Sequence, residues 1–163
     1  QGDLPAAWEH LKDALAIRRE IDDRRSIADS LCAMARVKCV AGETELAASL
    51  ARQSLVMRYR IGDRGQICSL EDLAMVAVLQ GRFERALRLA AAAQAQREAI
   101  GTPLPPNERA FLAPLIEQAR QALGPAEAER AWAAGRALGL DDAVEEAVAM
   151  GPAGPIVPPE PTR

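Results

Sequence analysis

Aromatic residues are scarce in this chain of 163: two Trp, two Phe and one Tyr make up 3% of it. A core with so few rings is built from many small contacts, and the abundant alanine lets helices approach closely. A single His and three Cys leave a Cys/His metal site poorly supplied and give no disulfide framework. Cys32 and Cys39, seven positions apart, would lie roughly 10 Å apart on one helix. A disulfide spans only about 7 Å. Free, buried thiols in a reducing cytoplasm are expected, with no metal and no cofactor. An excess of basic charge is missing too. The formal net charge of −3 offers no field to neutralise phosphates, so direct nucleic-acid contact by this segment is not expected. No apolar run approaches the roughly 20 residues that span a bilayer. No secretory signal opens the chain either, so a cytoplasmic location without membrane contact is expected. Gln1-Gly2-Asp3 begins without Met and inside a repeat, which reads as part of a longer protein.

What the chain does contain is repetition. Gly2, Gly42 and Gly81 superpose at intervals close to forty residues, and Ala7, Ala47 and Ala86 follow in step. The register continues through Leu11, Ala51 and Ala90, then Leu15, Leu55 and Gln94. It ends with Arg18, Arg58 and Arg97, then Ile21, Ile61 and Ile100. Self-similarity at such a period marks stacked supersecondary units that cannot bury their apolar faces alone.

Each unit pairs two kinds of helix. Leu4, Ala7, Trp8, Leu11, Ala14, Leu15 and Ile21 share one face at about 100° per residue, which describes an amphipathic helix. The stretches from Ile27 to Ala41 and from Ile67 to Leu79 are apolar on most sides, as suits a helix enclosed by neighbours. Glycine dipeptides mark the turns. Thr102-Pro103-Leu104-Pro105-Pro106 forces an extended linker. A helix over about 106–123 follows, with Pro114 expected to kink it or delay its start. Gly124-Pro125 then closes one helix and opens the next, over 126–138, which carries Trp132. A last short helix starts near Asp141 as N-cap. The expected fold is all-α: a right-handed α-solenoid of about three helix pairs with C-terminal capping helices. Repeats occupy 1–103, the last repeat helix and caps 104–150, and a disordered Pro-rich tail 151–163.

Leu15–Arg24 and Leu55–Arg64 resemble tetratricopeptide units. The run Arg97–Arg109, with Ala131–Leu138 and Asp141–Val144, is similar to the C-terminal end of bacterial signal-transduction ATPase regulators. That group includes LuxR-type transcription regulators, in which helical repeats follow a nucleotide-binding domain. The resemblance spans nearly all of residues 2–150. It implies a non-catalytic protein-interaction or ligand-sensing module of a larger bacterial regulator. The partner would be a protein or peptide, or the other domains of the same chain. It implies no enzymatic activity for this segment, which carries no Gly-rich phosphate loop and no helix-turn-helix reader. A homo-oligomerisation scaffold is the alternative.

The concave side formed by the first helices is the default binding surface. Arg18, Arg58 and Arg97 are its polar candidates, since Arg18 falls within an apolar face. As a stacked column they could bind carboxylates or an acidic peptide. The structural reading, preferred here, has each one snorkel to a nearby acid such as Asp23 or Asp63, or to helix-end carbonyls. Arg24 and Arg64 are expected to fix the helix corners. His10 stands where Leu50 and Leu89 stand in the other copies and is expected to pack or to contact an upstream repeat. Trp132 is expected to cap a core end. The adjacent acids Asp22/Asp23, Asp141/Asp142 and Glu145/Glu146 diverge on a helix and are expected to be solvated.

Overall fold

The computed structural model describes residues 3–149, and among them it is all-helical, with no strand. In chain order the helices are α1 (Leu4–Glu20), α2 (Arg24–Val40), α3 (Thr44–Arg60) and α4 (Gln66–Leu79). They continue as α5 (Phe83–Ala99), α6 (Pro106–Leu123), α7 (Pro125–Arg136) and α8 (Leu140–Ala149). No described helix is long and apolar enough to cross a membrane. The expected Pro-rich tail lies outside the described residues, as does Gly2 of the repeat register.

The repeat signal is, in physical terms, a recurring helix ending. At the ends of α1 to α5 the chain closes with the same two backbone bonds, shown by Gly62 N–H to Tyr59 and Asp63 N–H to Arg58. This double closure satisfies carbonyls that the helix itself leaves unpaired. It demands one residue at positive φ, supplied by Gly42, Gly62, Gly81 and Gly101, and by Asp22 at φ 50° in the first copy. The repeated isoleucines are the residues just before that turn. Ile21 was expected on the buried face; as the α1 C-cap it is 68% exposed, because the chain leaves the helix there.

Each helix from α1 to α6 packs on the next, α2 and α6 both touch α4, and α5 also touches α7. The last helix breaks this order. α8 turns back to lie against α3, α4 and α5. The largest apolar cluster therefore joins Leu15, Leu31, Leu55, Leu70 and Leu89 to Ala143, Val144 and Ala147, across the expected boundary at 103. Leu55, Leu70, Leu87 and Leu89 are fully buried, each stabilising the fold by about 2 kcal/mol relative to exposure. Trp132 is partly buried where two clusters meet, with the Arg120 guanidinium 4.4 Å from its ring centre. His10 is exposed and does not pack within the described residues. α6 runs through Pro114, whose ring and whose unpaired partner carbonyl at Ala110 both sit on the exposed side.

Small residues set the close approaches. A Cβ on Gly135 of α7 would lie 2.2 Å from the Arg88 carbonyl oxygen of α5, so only glycine fits that crossing. Between α2, α3 and α4, the polar atoms of the buried Cys32, Ser54 and Ser69 lie 3.2 to 3.4 Å from one another, and the Cys32 and Ser69 protons can make two of these three contacts hydrogen bonds. Ser54 also donates to the Ala28 carbonyl at 2.9 Å. All three cysteines are free, and burial pushes the Cys32 and Cys39 thiols up to about 11.

Candidate functional site

The closing geometry decides where the arginine ladder goes. Arg18, Arg58 and Arg97 are the residues whose carbonyls accept the outer closing bond of α1, α3 and α5. Their side chains start one turn before the helix end, where positive charge is favoured. From there each crosses to the following or preceding enclosed helix. Arg18 donates to the Ser26 carbonyl and to Ser30 Oγ. Arg58 is buried and pairs with Asp63 at 3.0 Å and with Asp29. Arg97 is buried and grips both oxygens of Glu71. Its hydrogen bonds with Glu71 hold its pKa above the usual arginine range. The structure thus brings each ladder guanidinium to partners within its own chain. An outside carboxylate would have to displace them.

The aspartates, rather than Arg24 and Arg64, hold the corners. Asp23 caps α2 by accepting from Ser26 N–H at 3.1 Å, and Asp63 accepts from Gly65 N–H at 3.0 Å. Arg24 makes only an exposed 3.5 Å contact with Asp22. The physical reason is reach: a short carboxylate at the turn sits beside the free amides, while a long guanidinium carries past them.

The face formed by α3 and α5 is occupied by α8. Ala143, Val144 and Ala147 point into it and are buried. Arg88 of α5 holds Glu146 through two hydrogen bonds of 2.7 and 2.6 Å, and Arg85 donates to the Ala147 carbonyl at 2.8 Å. At the other end Tyr59 of α3 donates to Asp141 at 2.7 Å. Asp141 is exposed, as expected, while accepting from Tyr59; Glu146, expected to be solvated, is half-buried and held by Arg88. Leu140, not Asp141, opens the helix.

On another side, between α2, α4 and α6, lies a cavity of about 280 Å³. Its polar wall is Arg36, Glu71, Asp72 and Glu108; its apolar wall includes Val40, Met75, Phe111 and Leu112. Asp72 is 3% exposed, and Arg36 Nε donates to its Oδ1 at 2.8 Å. Its Oδ2 is enclosed and lacks a donor in bonding geometry, although the nearby Cys32 thiol favours its charged form. A buried acceptor left unpaired costs about 1–3 kcal/mol. Burial raises the pKa of Asp72, against the pull of Arg36, and burial likewise raises Glu71 against Arg97. The apolar wall is open to solvent at Val40 and Phe111, which are 62% and 54% exposed.

Cys68, Glu71 and Glu108 carry ligand atoms within 4.8 Å of one another, close enough to suggest a metal. Arg97 already stands among them, donating to Cys68 Sγ at 3.4 Å and lying 3.9 Å from Glu108. That cluster holds the chain's own cation. The Glu71-Asp72 pair is the feature that a reading by repeats passes over. Its signal is two acids inside an otherwise apolar helix, the one acidic pair here with little access to water.

Comparison of the chain with protein-family models, with curated proteins and with solved structures finds no match.

Proposed function

We propose that this chain is a non-catalytic protein-interaction or ligand-sensing module, built as a right-handed tetratricopeptide-like α-solenoid. In this reading α1/α2, α3/α4 and α5/α6 are the three hairpins and α7 and α8 the cap. The larger protein it serves is a bacterial ATPase or transcription regulator of the kind its repeats resemble, working in the cytoplasm. The observation that carries the reading is the seat of α8. The face of α3 and α5 accepts a short amphipathic helix through small apolar contacts and anchors its acids with arginine and tyrosine. A partner helix with the same pattern, acid–apolar–acid over ten residues, would compete for that seat. The arginine ladder then serves to hold each hairpin corner rather than to bind.

A partner that needs the seat binds only the fraction of molecules in which α8 is out, so releasing α8 raises its apparent affinity. Arg88→Ala removes the main tether. The rest of the regulator, supplied as a separate protein, should then be retained several-fold more strongly on the immobilised chain. Equal retention by the wild type and the variant would count against the seat.

One feature favours homo-oligomerisation as a second reading. Ile17 stands 59% exposed on α1, next to the equally uncovered Ile21. Light scattering across a dilution series separates the two readings, since a strict monomer leaves only the first.

A further inference from the structure

We infer that α8 is exchanged between two copies of this chain, so that each copy's seat on α3, α4 and α5 holds the last helix of the other. The inference rests on the reading of that seat as a site for an amphipathic helix, and it names a second copy as the occupant. Reciprocal exchange joins two copies at low cost when a terminal element is held by distant contacts and hangs on a short hinge able to straighten. Both conditions are met.

The contacts that hold α8 lie far from it in sequence. It packs on α3, α4 and α5 rather than on α7, the helix that delivers it. Its tethers join Tyr59 to Asp141 at 2.7 Å and Arg88 to Glu146 at 2.7 and 2.6 Å, across 82 and 58 positions. Ala143, Val144 and Ala147 fill the apolar floor between them. None of these contacts depends on which chain supplies the helix. A second copy presents the same face by identity, and an exchanged pair regains each contact in both seats. The seat energies therefore cancel between monomer and exchanged dimer, which leaves the hinge and the concentration to decide.

The hinge is short. Hydrogen bonding of α7 runs on past Arg136, since the Leu138 N–H still reaches back to the Gly135 carbonyl at 3.2 Å. That of α8 begins with the Ala143 N–H on the Gly139 carbonyl at 3.0 Å. Ala137 is already in the helical region, at φ −79° and ψ −12°. Leu138 and Gly139 alone interrupt the two helices, and straightening there would give one helix over 125–149, about 37 Å long. Alanine and leucine favour that form; Gly139 opposes it through the conformational freedom it would lose. Leu138 would also leave the main apolar cluster, so the closed monomer is the form expected at low concentration. Gly139 is not at positive φ, and a Cβ there would meet only Asp142 Oδ2 at 3.5 Å, an ordinary contact. An alanine is thus tolerated by the closed form and favoured by the straight one. Exchange would bring two copies of the larger protein together, and a partner helix in the seat would part them.

The test mixes two full-chain variants, Arg88→Glu and Glu146→Arg. Alone, each sets like charges against each other in the seat, whether α8 comes from its own chain or from an identical one. Only exchange between the two variants restores an acid–arginine pair in both seats. Native mass spectrometry of the mixture at about 0.1 mM should show mixed dimers outnumbering either uniform dimer by about tenfold or more. A mixture that stays the sum of its parts would overturn the inference. Gly139→Ala, in the otherwise unchanged chain, repeats the test if the charge variants fail to fold. Helix propensity favours its straightened hinge about fivefold per chain. Dimerisation should then strengthen about thirtyfold, from a dissociation constant on the order of 1 mM. No rise in dimer would also overturn the inference. Ile17→Glu, on the exposed face of α1, should leave that dimer unchanged; its loss would assign the dimer to α1 and overturn exchange. Stronger retention of the regulator by Arg88→Ala without mixed dimers would overturn exchange and leave the partner-binding reading standing. Mixed dimers with equal retention would support exchange and count against an outside partner.

Discussion

Two sides of the same helical stack end differently. On the side of α3 and α5, α8 supplies Ala143, Val144 and Ala147 to the apolar floor, and Asp141 and Glu146 to the polar rim. On the side of α2, α4 and α6, Asp72 Oδ2 lacks a donor while Val40 and Phe111 face water. Packing quality does not separate them, since α4 is buried along nearly its whole length beside both. Coverage does. The chain has closed one side with its own last helix and left the apolar wall of the other open to solvent.

The largest way to break this contrast is at the closed side's tightest crossing. Gly135→Ala puts a methyl 2.2 Å from a backbone oxygen of α5, where no flexible side chain can give way. Urea unfolding should register a loss of about 3 kcal/mol. A loss well under about 1 kcal/mol would mean α7 slides freely and the closed side is soft.

A comparison within the ladder sharpens the point. Arg58→Ala leaves Asp63, whose side chain is 8% exposed, with only the Gly65 N–H and a 3.6 Å contact to Arg25, and should lower stability by about 2 kcal/mol. Arg18→Ala strands only Ser30 and a carbonyl, so about 1 kcal/mol is expected in the same assay. Equal losses would show that the corners depend on guanidinium packing instead of on charge pairing.

The smallest effect is in the pH profile. Asp72 holds its proton to higher pH in the folded chain than in the unfolded one, because burial raises it. The folded state therefore binds more protons between those two values, and stability falls as pH rises through them. Glu98 behaves oppositely. Hydrogen bonds from Arg136 and Gln94 hold it down to about 2, against an ordinary 4.5. Its contribution is present above 4.5 and lost as pH falls toward 2. Melting temperature against pH should lose its acid-side gain in Asp72→Asn, and part of its acid-side loss in Glu98→Gln. Profiles unchanged by Asp72→Asn would mean that carboxylate meets water after all.

Much of the fold was legible because its signals are local. Glycine spacing marked the turns, Thr102–Pro106 marked the linker, and Gly124-Pro125 marked the start of α7. The enclosed character of α4 showed in the apolar run from Leu73 to Leu79. The return of α8 was not legible. Tyr59 and Asp141 are 82 positions apart, and nothing in the spacing of either refers to the other. The cavity was half legible. Glu71-Asp72 within an apolar helix signals an unusual environment, but only the approach of α6 shows what surrounds it. The ladder was visible as a register, and its inward turn follows from a helix-end closure that sequence does not display directly.

The meeting of Cys32, Ser54 and Ser69 has a mechanical consequence. Methyl groups at that junction would tolerate one helix rolling against another, whereas hydroxyl and thiol groups that share their protons with one another and with the Ala28 carbonyl favour a single rotation. The junction acts as an alignment key for pitch. The relative rotation of α2, α3 and α4 is restrained there, and α3 is one of the helices that receive α8. Torsional stiffness in this chain thus originates in three of its smallest polar side chains.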